Sequence, residues 1–311
     1  MPTHTTHLTE PAPIPFDFTA AASSHGWAAL RPFAWDAAAG TLHRTQQLKD
    51  GKVVALSMQP GGDALAPAVA IGMVSADPLD PVEQAEVRRG VRRMLRLDED
   101  FGDLYRRQTE LPHHPLKIAP GGGRLLRCPT LFEDMVYTLC TTNIAWSGTK
   151  RMVHLLAEKL GRPAPGNNSD RAFPTAEAIA AAGPEFLRQE TGLGYRSDYV
   201  WQLADDVAVG RLNLAYFEQP DIPTDELYKA VRRLKGFGDY ATSTVLMLLG
   251  RYDRLAIDSE LRSFVTRKYF NGQPPEKEAD IRAIYEPWGR WRYLAYWFDE
   301  PPVDAPPANF W

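Results

Sequence analysis

The stretch LKGFGDYATSTVLMLLGRYDRLAIDSELRSFV, residues 234–265, decides the fold. It predicts the end of one helix, a Gly-x-Gly turn, a second helix, and a short connection to an aspartate that begins a third helix. Gly236 and Gly238 flank Phe237, which is typical of a tight turn that needs positive φ and close backbone approach. Asp258 follows Gly238 by twenty positions. Such a turn can present main-chain N–H groups to a phosphate at the start of the second helix, which indicates a nucleic-acid partner.

The overall charge of the chain does not by itself favour binding to nucleic acid. The chain has 311 residues, a hydrophobic share of 44% and a formal net charge of −4. This length is enough for two or three domains with well-filled cores. Because the chain is acidic, a nucleic-acid partner requires local clustering of Lys and Arg. Residues 225–298 are the basic part, with 13 basic and 10 acidic side chains.

Cysteine content and hydropathy exclude several classes of protein. Cys128 and Cys140 alone cannot hold a four-cysteine iron–sulfur cluster or a structural zinc site, and no metal site is predicted. Two cysteines also make no disulfide framework, so a reducing cytosol is expected. No apolar run reaches about 18 residues, so no membrane span is expected. The first residues lack the basic and apolar regions of a signal peptide.

Periodicity divides the chain into a β-rich and a helical part. Residues 1–14 are rich in Thr and Pro, which predicts a disordered tail. The segments 41–48, 52–58 and 69–75 are β-branched or alternating, and the Asp-Gly pair at 50–51 predicts a hairpin between the first two. From Pro129 to Phe298 short amphipathic helices follow one another. Residues 299–311 form a Pro-rich tail.

The Gly-x-Gly turn and its following aspartate resemble the helix-hairpin-helix (HhH-GPD) DNA glycosylase superfamily. The resemblance implies that main-chain groups at Leu234, Gly236 and Gly238 bind a DNA phosphate, often with a bound monovalent cation. It implies that Asp258 is catalytic. An ionised carboxylate beside C1′ of the deoxyribose would stabilise the positive charge that develops when an N-glycosidic bond breaks, and would orient water. Without the resemblance, the sequence Ile257-Asp258-Ser259 is an ordinary helix start with Asp258 as the N-cap.

Tyr240 distinguishes two mechanisms within this superfamily. Members that also cleave the strand carry a Lys at the second position after the second glycine of the turn, where it forms a Schiff base with the sugar. This sequence has Asp239 and then Tyr240 there. The interpretation is a monofunctional enzyme in which water is the nucleophile, with Tyr240 facing the base pocket.

Residues 131–161 and 191–200 resemble 8-oxoguanine DNA glycosylase. The positions that in that family enter the duplex at the extruded base are Asn143, Tyr195 and Arg196 in this sequence. An amide and a guanidinium can hydrogen-bond the orphaned partner base, and a Tyr ring can fill the vacated stack. The chain departs from the family at Gly148, where the family has an Arg that reads cytosine.

The C-terminal segment YEPWGRWRYLAYWF, residues 285–298, resembles instead 3-methyladenine DNA glycosylase II. Aromatic faces stack well on electron-poor alkylated purines, so Trp288, Trp291, Tyr293 and Trp297 could line a base pocket, although most of these rings are expected to pack in the core. A segment near the start, residues 23–36, resembles the part of the first domain that approaches this pocket. The candidate pocket residues are Tyr240, Trp146, Trp288, Trp291 and His25.

The resemblance implies an α+β protein. A β-rich, TATA-box-binding-protein-like N-terminal domain (15–125) would be followed by a mostly α-helical glycosylase region of two subdomains (126–298). The expected function is a monofunctional DNA glycosylase of base excision repair that flips out a damaged purine, with an alkylated base favoured. It would act as a cytoplasmic, nucleoid-associated monomer on double-stranded DNA, without a cofactor. The alternatives are an 8-oxoguanine-type glycosylase and a non-catalytic protein that binds lesions.

Overall fold

The computed structural model describes residues 3–111 and 118–299, which form an α+β structure. The strands are β1 (His4–Pro11), β2 (Phe33–Asp36), β3 (Thr41–Gln47), β4 (Val53–Gly62), β5 (Pro67–Ser75), β6 (Pro163–Ala164) and β7 (Asn167–Arg171). The α-helices are α1 (Phe18–Ser23), α2 (Pro81–Met94), α3 (Gly102–Glu110), α4 (Leu131–Thr141), α5 (Trp146–Leu160), α6 (Ala176–Glu190), α7 (Ser197–Ala208), α8 (Leu214–Phe217), α9 (Thr224–Arg232), α10 (Asp239–Leu248), α11 (Ser259–Tyr269), α12 (Glu278–Tyr285) and α13 (Arg292–Trp297). Short 3₁₀ helices lie at Gly26–Ala29, Gly194–Arg196 and Glu286–Trp291.

The described residues divide into two compact units. Unit 1 contains residues 3–99 and 120–214, and unit 2 contains residues 100–111, 118–119 and 215–299. The predicted α+β class is confirmed, because a five-stranded antiparallel sheet precedes a mostly helical remainder. The domain boundaries predicted from the sequence at residues 125 and 298 stay predictions.

The sheet of unit 1 has the strand order β1-β5-β4-β3-β2, and every neighbouring pair is antiparallel. The three strands predicted from the sequence correspond to β3, β4 and β5. Alternate residues of β4 and β5 are buried, as the period of two requires. Helix α2 lies against this sheet, since a Cβ on Gly90 would come 3.4 Å from Oε1 of Gln46 in β3.

The N-terminal segment is ordered, so the prediction of a disordered tail over residues 1–14 is wrong for His4–Pro11. These residues form β1, an edge strand paired with β5 from His4–Ser75 to Pro11–Ala68. The Thr residues suit a strand, and an edge strand tolerates polar side chains on both faces. Glu10 also holds this strand to α2, because its buried carboxylate pairs with Arg88 at 2.8 Å and Arg92 at 2.6 Å.

Buried charges join α4 to the rest of unit 1. Arg44 of β3 pairs with Glu133, and Arg93 of α2 pairs with Asp134 at 2.7 Å. Nε1 of Trp27 also donates to Asp134, at 3.0 Å. Loss of one partner from a buried pair leaves an uncompensated charge, which makes such contacts strict determinants of position. They fix α4, whose C-terminal end leads to Asn143.

Unit 2 contains the helices from α9 to α13. Its last described residue, Asp299, is buried and accepts hydrogen bonds from Lys268 at 2.9 Å, Tyr269 at 2.6 Å and Tyr285 at 2.9 Å. The remainder of the predicted Pro-rich tail, 300–311, lies outside the described residues. In the described ranges no helix combines the length and apolarity needed to cross a bilayer.

Candidate active site

The predicted helix–turn–helix arrangement around the two glycines is present in unit 2. Helix α9 ends at Arg232, and the turn is closed by hydrogen bonds from N of Leu234 to O of Val231 (3.0 Å) and from N of Phe237 to O of Leu234 (3.2 Å). Phe237 is buried and anchors the turn in the core. Gly236 has φ of 90°, which requires glycine there.

Gly238 differs from the sequence-based prediction. Its backbone is extended (φ −71°, ψ −173°), so it does not need positive φ. It is the N-cap of α10, and a Cβ placed on it would meet no atom within 4 Å. The packing of the described chain therefore gives no reason for glycine at this position.

Basic side chains surround the turn. Lys229, Arg232, Arg233 and Lys235 are all exposed and lie within seven positions of one another. Nη1 of Arg232 donates to the carbonyl of Phe237 at 3.2 Å, which ties one of these cations to the turn itself. The first turn of an α-helix has N–H groups without intrahelical acceptors, and its dipole favours anions. The hairpin thus combines positive side chains with the positive end of α10.

Asp258 is the N-cap of α11, as its sequence context predicts. Its Oδ1 accepts a hydrogen bond from N of Leu261 at 2.8 Å. Burial raises the pKa of this carboxyl above its ordinary value, while hydrogen bonds from the backbone of Leu261 and Glu260 act in the opposite direction. In the described part of the chain, no ion pair joins Asp258 to a Lys, Arg or His. It is thus a half-buried carboxylate that caps α11.

A buried phenol lies close to this carboxylate. Burial raises the pKa of the Tyr293 phenol well above its ordinary value, and the nearby Tyr240 and Asp258 raise it further. The hydroxyl of Thr244 donates to the carbonyl of Tyr240 at 3.0 Å. Tyr293, one of the aromatic candidates of the C-terminal segment, therefore lies near both Tyr240 and Asp258. The sequence signal for it was only its place among the rings of residues 285–298.

Trp288 and Trp291 are buried, with 1% and 4% of their surface exposed. Nε1 of Trp291 donates to Asp103 at 2.8 Å, and its ring stacks on Tyr252 with centroids 5.5 Å apart. These are packing contacts within unit 2, which is the alternative that the sequence left open for such rings. A base-pocket role for either Trp stays a prediction.

Three residues predicted to enter the duplex lie together in unit 1. Asn143 follows α4 with φ of 49°, and Tyr195 is 50% exposed. Partial burial raises the pKa of the Tyr195 phenol, but hydrogen bonds with Asn143 and Thr142 and the charge of Arg196 lower it to below its ordinary value. Arg196 is only 4% exposed, and its guanidinium lies 4.5 Å from the centre of the Tyr195 ring.

The two remaining predicted pocket residues are also in unit 1. Trp146 is half-buried at the first position of α5. His25 is buried, donates from Nδ1 to the carbonyl of Leu126 at 3.0 Å, and lies 4.1 Å from the ring of Trp27. Burial lowers the pKa of His25 to about 3, so the ring is neutral at pH 7. These contacts favour a core position for His25, and its role at a base stays a prediction.

The two cysteines, the residues considered above for a metal site, both lie in the interior. Cys128 and Cys140 are both buried, and burial raises the pKa of each thiol. Within residues 3–111 and 118–299, no three His, Cys, Asp or Glu side chains form a group that could hold a metal ion.

Several solved structures that resemble this chain are DNA glycosylases. A 3-methyladenine DNA glycosylase from Archaeoglobus fulgidus matches with a TM-score of 0.73 and 23% identity, over 94% of this chain and 97% of that one. This chain has the DNA glycosylase fold. MBOgg1 in complex with a low-affinity DNA ligand matches with a TM-score of 0.62 and 18% identity, over 96% of this chain and 98% of that one.

An 8-oxoguanine glycosylase/lyase from Clostridium acetobutylicum, in its apo form, matches this glycosylase-fold chain with a TM-score of 0.61 and 16% identity. That match covers 89% of this chain and 93% of the other. No family model matches the sequence. At these identities the likeness concerns the fold, and at that level the resemblance predicted from the sequence is confirmed.

Proposed function

We propose that the chain is a monofunctional DNA glycosylase of base excision repair that removes a damaged purine, with an alkylated base favoured. The observation that carries the proposal is Asp258. It is a half-buried, capped carboxylate that pairs with no cation among the described residues, and it follows a Gly-x-Gly hairpin in a chain with the glycosylase fold. An unpaired carboxylate in a partly desolvated place is suited to stabilising a developing positive charge.

The reaction is a hydrolysis at C1′ of the flipped nucleotide. The bond between C1′ and the purine nitrogen breaks, and its electron pair leaves with the base. A water oxygen forms the new bond to C1′, and the water proton passes to the Asp258 carboxylate. A purine nucleotide alkylated at N3 or N7 carries positive charge on the base, and the base therefore leaves as a neutral molecule without prior protonation. The buried Tyr293 beside Asp258 would limit the access of bulk water to the carboxylate and so strengthen its electrostatic interaction with the sugar.

The hairpin would hold the phosphate of the flipped nucleotide. Its exposed Lys and Arg side chains and the N-terminus of α10 supply the positive potential. The partner is double-stranded DNA with a damaged base, met by a cytoplasmic, nucleoid-associated monomer. A structural monovalent cation at the turn would be held by the carbonyl oxygens of Leu234 and Gly236, each of which accepts one backbone hydrogen bond and retains a second lone pair. No catalytic step passes through that cation.

A panel of duplexes tests the activity and the substrate together. Duplexes with 7-methylguanine, 8-oxoguanine or no lesion are incubated with the protein, and released base is separated by chromatography. We expect free 7-methylguanine and intact undamaged DNA. Release of 8-oxoguanine alone would favour the second candidate, to which the fold similarity with 8-oxoguanine glycosylases lends weight. Binding to the lesion without release of any base would identify a non-catalytic lesion-binding protein.

Borohydride separates the monofunctional from the lyase mechanism. Because Tyr240 stands where a Schiff-base Lys would be, we expect no covalent protein–DNA adduct when borohydride is present during base release. The measurement is a denaturing gel of labelled duplex. The control is the Tyr240→Lys variant, which tests whether an amine at that position is close enough to C1′ to be trapped. An adduct with the unaltered protein would contradict the monofunctional mechanism.

A further inference from the structure

An acidic side chain lies at the turn through which the protein would bind the DNA backbone. Asp239 follows Gly238 directly, is the first residue of α10, and is exposed. It therefore lies at the helix end where main-chain N–H groups would receive a phosphate. A negative charge in this place repels a phosphate, whereas the Lys and Arg side chains around the turn attract it. Asp239 thus opposes the positive potential that a DNA-binding turn needs.

The surrounding cations do not pair with this carboxylate. In the part of the chain that the structure describes, no Lys or Arg forms an ion pair with Asp239, although four exposed basic residues lie within the ten positions before it. Oδ1 of Asp239 accepts a hydrogen bond from the hydroxyl of Tyr228 in α9. A phenol is a neutral donor, so this bond fixes the carboxylate without cancelling its charge.

Tyr228 is itself held by a second contact. The guanidinium of Arg254, in the connection from α10 to α11, lies 3.8 Å from the centre of the Tyr228 ring. Arg254 in turn pairs with Asp225 of α9 at 2.7 Å. A guanidinium over an aromatic face is an attractive contact, so the ring has a defined position from which its hydroxyl reaches Asp239.

The start of α10 has no side chain at its N-cap. The N-cap is Gly238, which cannot accept a hydrogen bond from the first turn through a side chain. The helix dipole attracts a carboxylate at the first helical positions toward such an end. In the structure the Asp239 carboxylate is bound by Tyr228. Without that bond, the carboxylate could turn toward the N–H groups of α10 and occupy the position of a phosphate.

We propose that Asp239 weakens the binding of the turn to the DNA backbone, and that Tyr228 keeps its carboxylate beside the phosphate position and out of it. The proposal rests on the proposed glycosylase function, which brings a phosphate to α10. A glycosylase must leave its abasic product before it acts again, and strong binding to a backbone that all duplexes share slows this step. At an exposed helix end, one carboxylate near a phosphate should change the affinity by about threefold to tenfold.

The test measures the affinity of Asp239→Asn for two duplexes by fluorescence anisotropy at about 0.1 M salt. One duplex is undamaged, and the other carries a tetrahydrofuran abasic analogue that represents the product. We expect both affinities to rise by about threefold to tenfold, and the gain to shrink at higher salt. Dissociation from the analogue, measured by a chase with unlabelled duplex, should slow. Asn keeps the size of the side chain and still accepts a hydrogen bond from Tyr228.

Glu226→Gln is the matched control. Glu226 is another exposed carboxylate that accepts a hydrogen bond from a phenol, that of Tyr216 at 2.7 Å. It lies in the first turn of α9, at the opposite end of that helix from the glycine turn. Since salt screens exposed charges that are far apart, this variant should change the affinity by less than about twofold. An equal gain in both variants would assign the effect to net charge and overturn the proposal.

Tyr228→Phe tests the role of the hydroxyl. The variant keeps the ring beneath Arg254 and releases the Asp239 carboxylate. We expect the affinity to fall by about threefold or more in the otherwise unaltered protein, because the released carboxylate competes with the phosphate. In the Asp239→Asn background the same change should stay within about twofold, since no charge is released. A loss of equal size in both backgrounds would contradict the role given to Tyr228.

The binding data also separate this proposal from the function on which it rests. If the unaltered protein binds both duplexes and Asp239→Asn binds them equally or more weakly, Asp239 does not limit the affinity and the proposal is wrong. If the unaltered protein binds neither duplex, the proposed glycosylase function is rejected, and the role of Asp239 is rejected with it.

Discussion

Asp258→Asn is expected to lower the rate of base release by about 100-fold to 1,000-fold, the usual effect of removing one preorganised electrostatic group from a transition state. The variant keeps the size of the side chain and its ability to cap α11, because Asn is as good an N-cap as Asp. It removes the negative charge that would face the oxocarbenium-like sugar. DNA affinity should stay the same or increase, since a carboxylate near the phosphates is lost. Single-turnover release and a binding titration on the same duplex measure the two effects.

The variant should also be no less stable than the unaltered protein at neutral pH. Burial raises the pKa of Asp258, so the folded state favours the protonated carboxyl. The stability that this protonation contributes is complete below the pKa of the unfolded chain and is lost as the pH rises through the folded-state pKa. At pH 7 the ionised group therefore costs stability, and the neutral amide removes that cost. The thermal unfolding midpoint at pH 7 should be unchanged or higher.

Glu260→Gln is the matched control. It removes one negative charge from the exposed first turn of the same helix, two positions further on. We expect its release rate to stay within about threefold of the unaltered rate, since exposed charges act weakly through water. A similar loss in both variants would mean that the net charge of this helix end matters and not the position of Asp258. Full activity of Asp258→Asn would remove the carboxylate from the mechanism.

The sequence was sufficient where local chemistry determines structure. The turn at residues 234–238 was predictable because two glycines interrupt apolar periodicity, and the N-cap at Asp258 because an Asp-Ser-Glu start is a local pattern. Gly238 was misassigned for a physical reason. A glycine is permitted at any φ, so its presence does not tell whether the backbone requires it or whether an outside group must approach it. Only its observed angles separate these explanations.

The sequence was insufficient where the position of a side chain depends on distant segments. Arg196 could face solvent or the end of α4, and the choice is made by carbonyls more than fifty positions away. The indole of Trp291 is buried and donates to Asp103, which lies 188 positions earlier in the chain, and the sequence gives no sign of that contact. β1 was missed because an edge strand needs no apolar alternation, only a partner such as β5 with unpaired main-chain groups. In each case the contact that determines the position joins residues that are far apart in the sequence and close together in space.

Gly238→Val is expected to weaken binding to damaged and undamaged duplexes alike, by about tenfold or more, if the hairpin binds a phosphate that both duplexes share. Because no atom of the described residues lies within 4 Å of a Cβ at Gly238, the added methyl groups would occupy open space, where a phosphate would approach the amides of α10. The cost in stability should be about 1 kcal/mol, the usual difference between a good and a poor N-cap. Fluorescence anisotropy on both duplexes, at two salt concentrations, measures the affinity.

Gly236→Ala is the matched variant, and its expected behaviour is the reverse. With φ of 90° at Gly236, any Cβ strains the backbone by about 1–3 kcal/mol, so the unfolding midpoint should fall. Its affinity, measured where the protein remains folded, should fall less than that of Gly238→Val. The two glycines of the turn then separate two reasons for a glycine, which are backbone conformation at Gly236 and approach of a ligand at Gly238. Unchanged affinity of Gly238→Val would show that no phosphate lies at the start of α10, because a branched side chain in that position leaves no room for one.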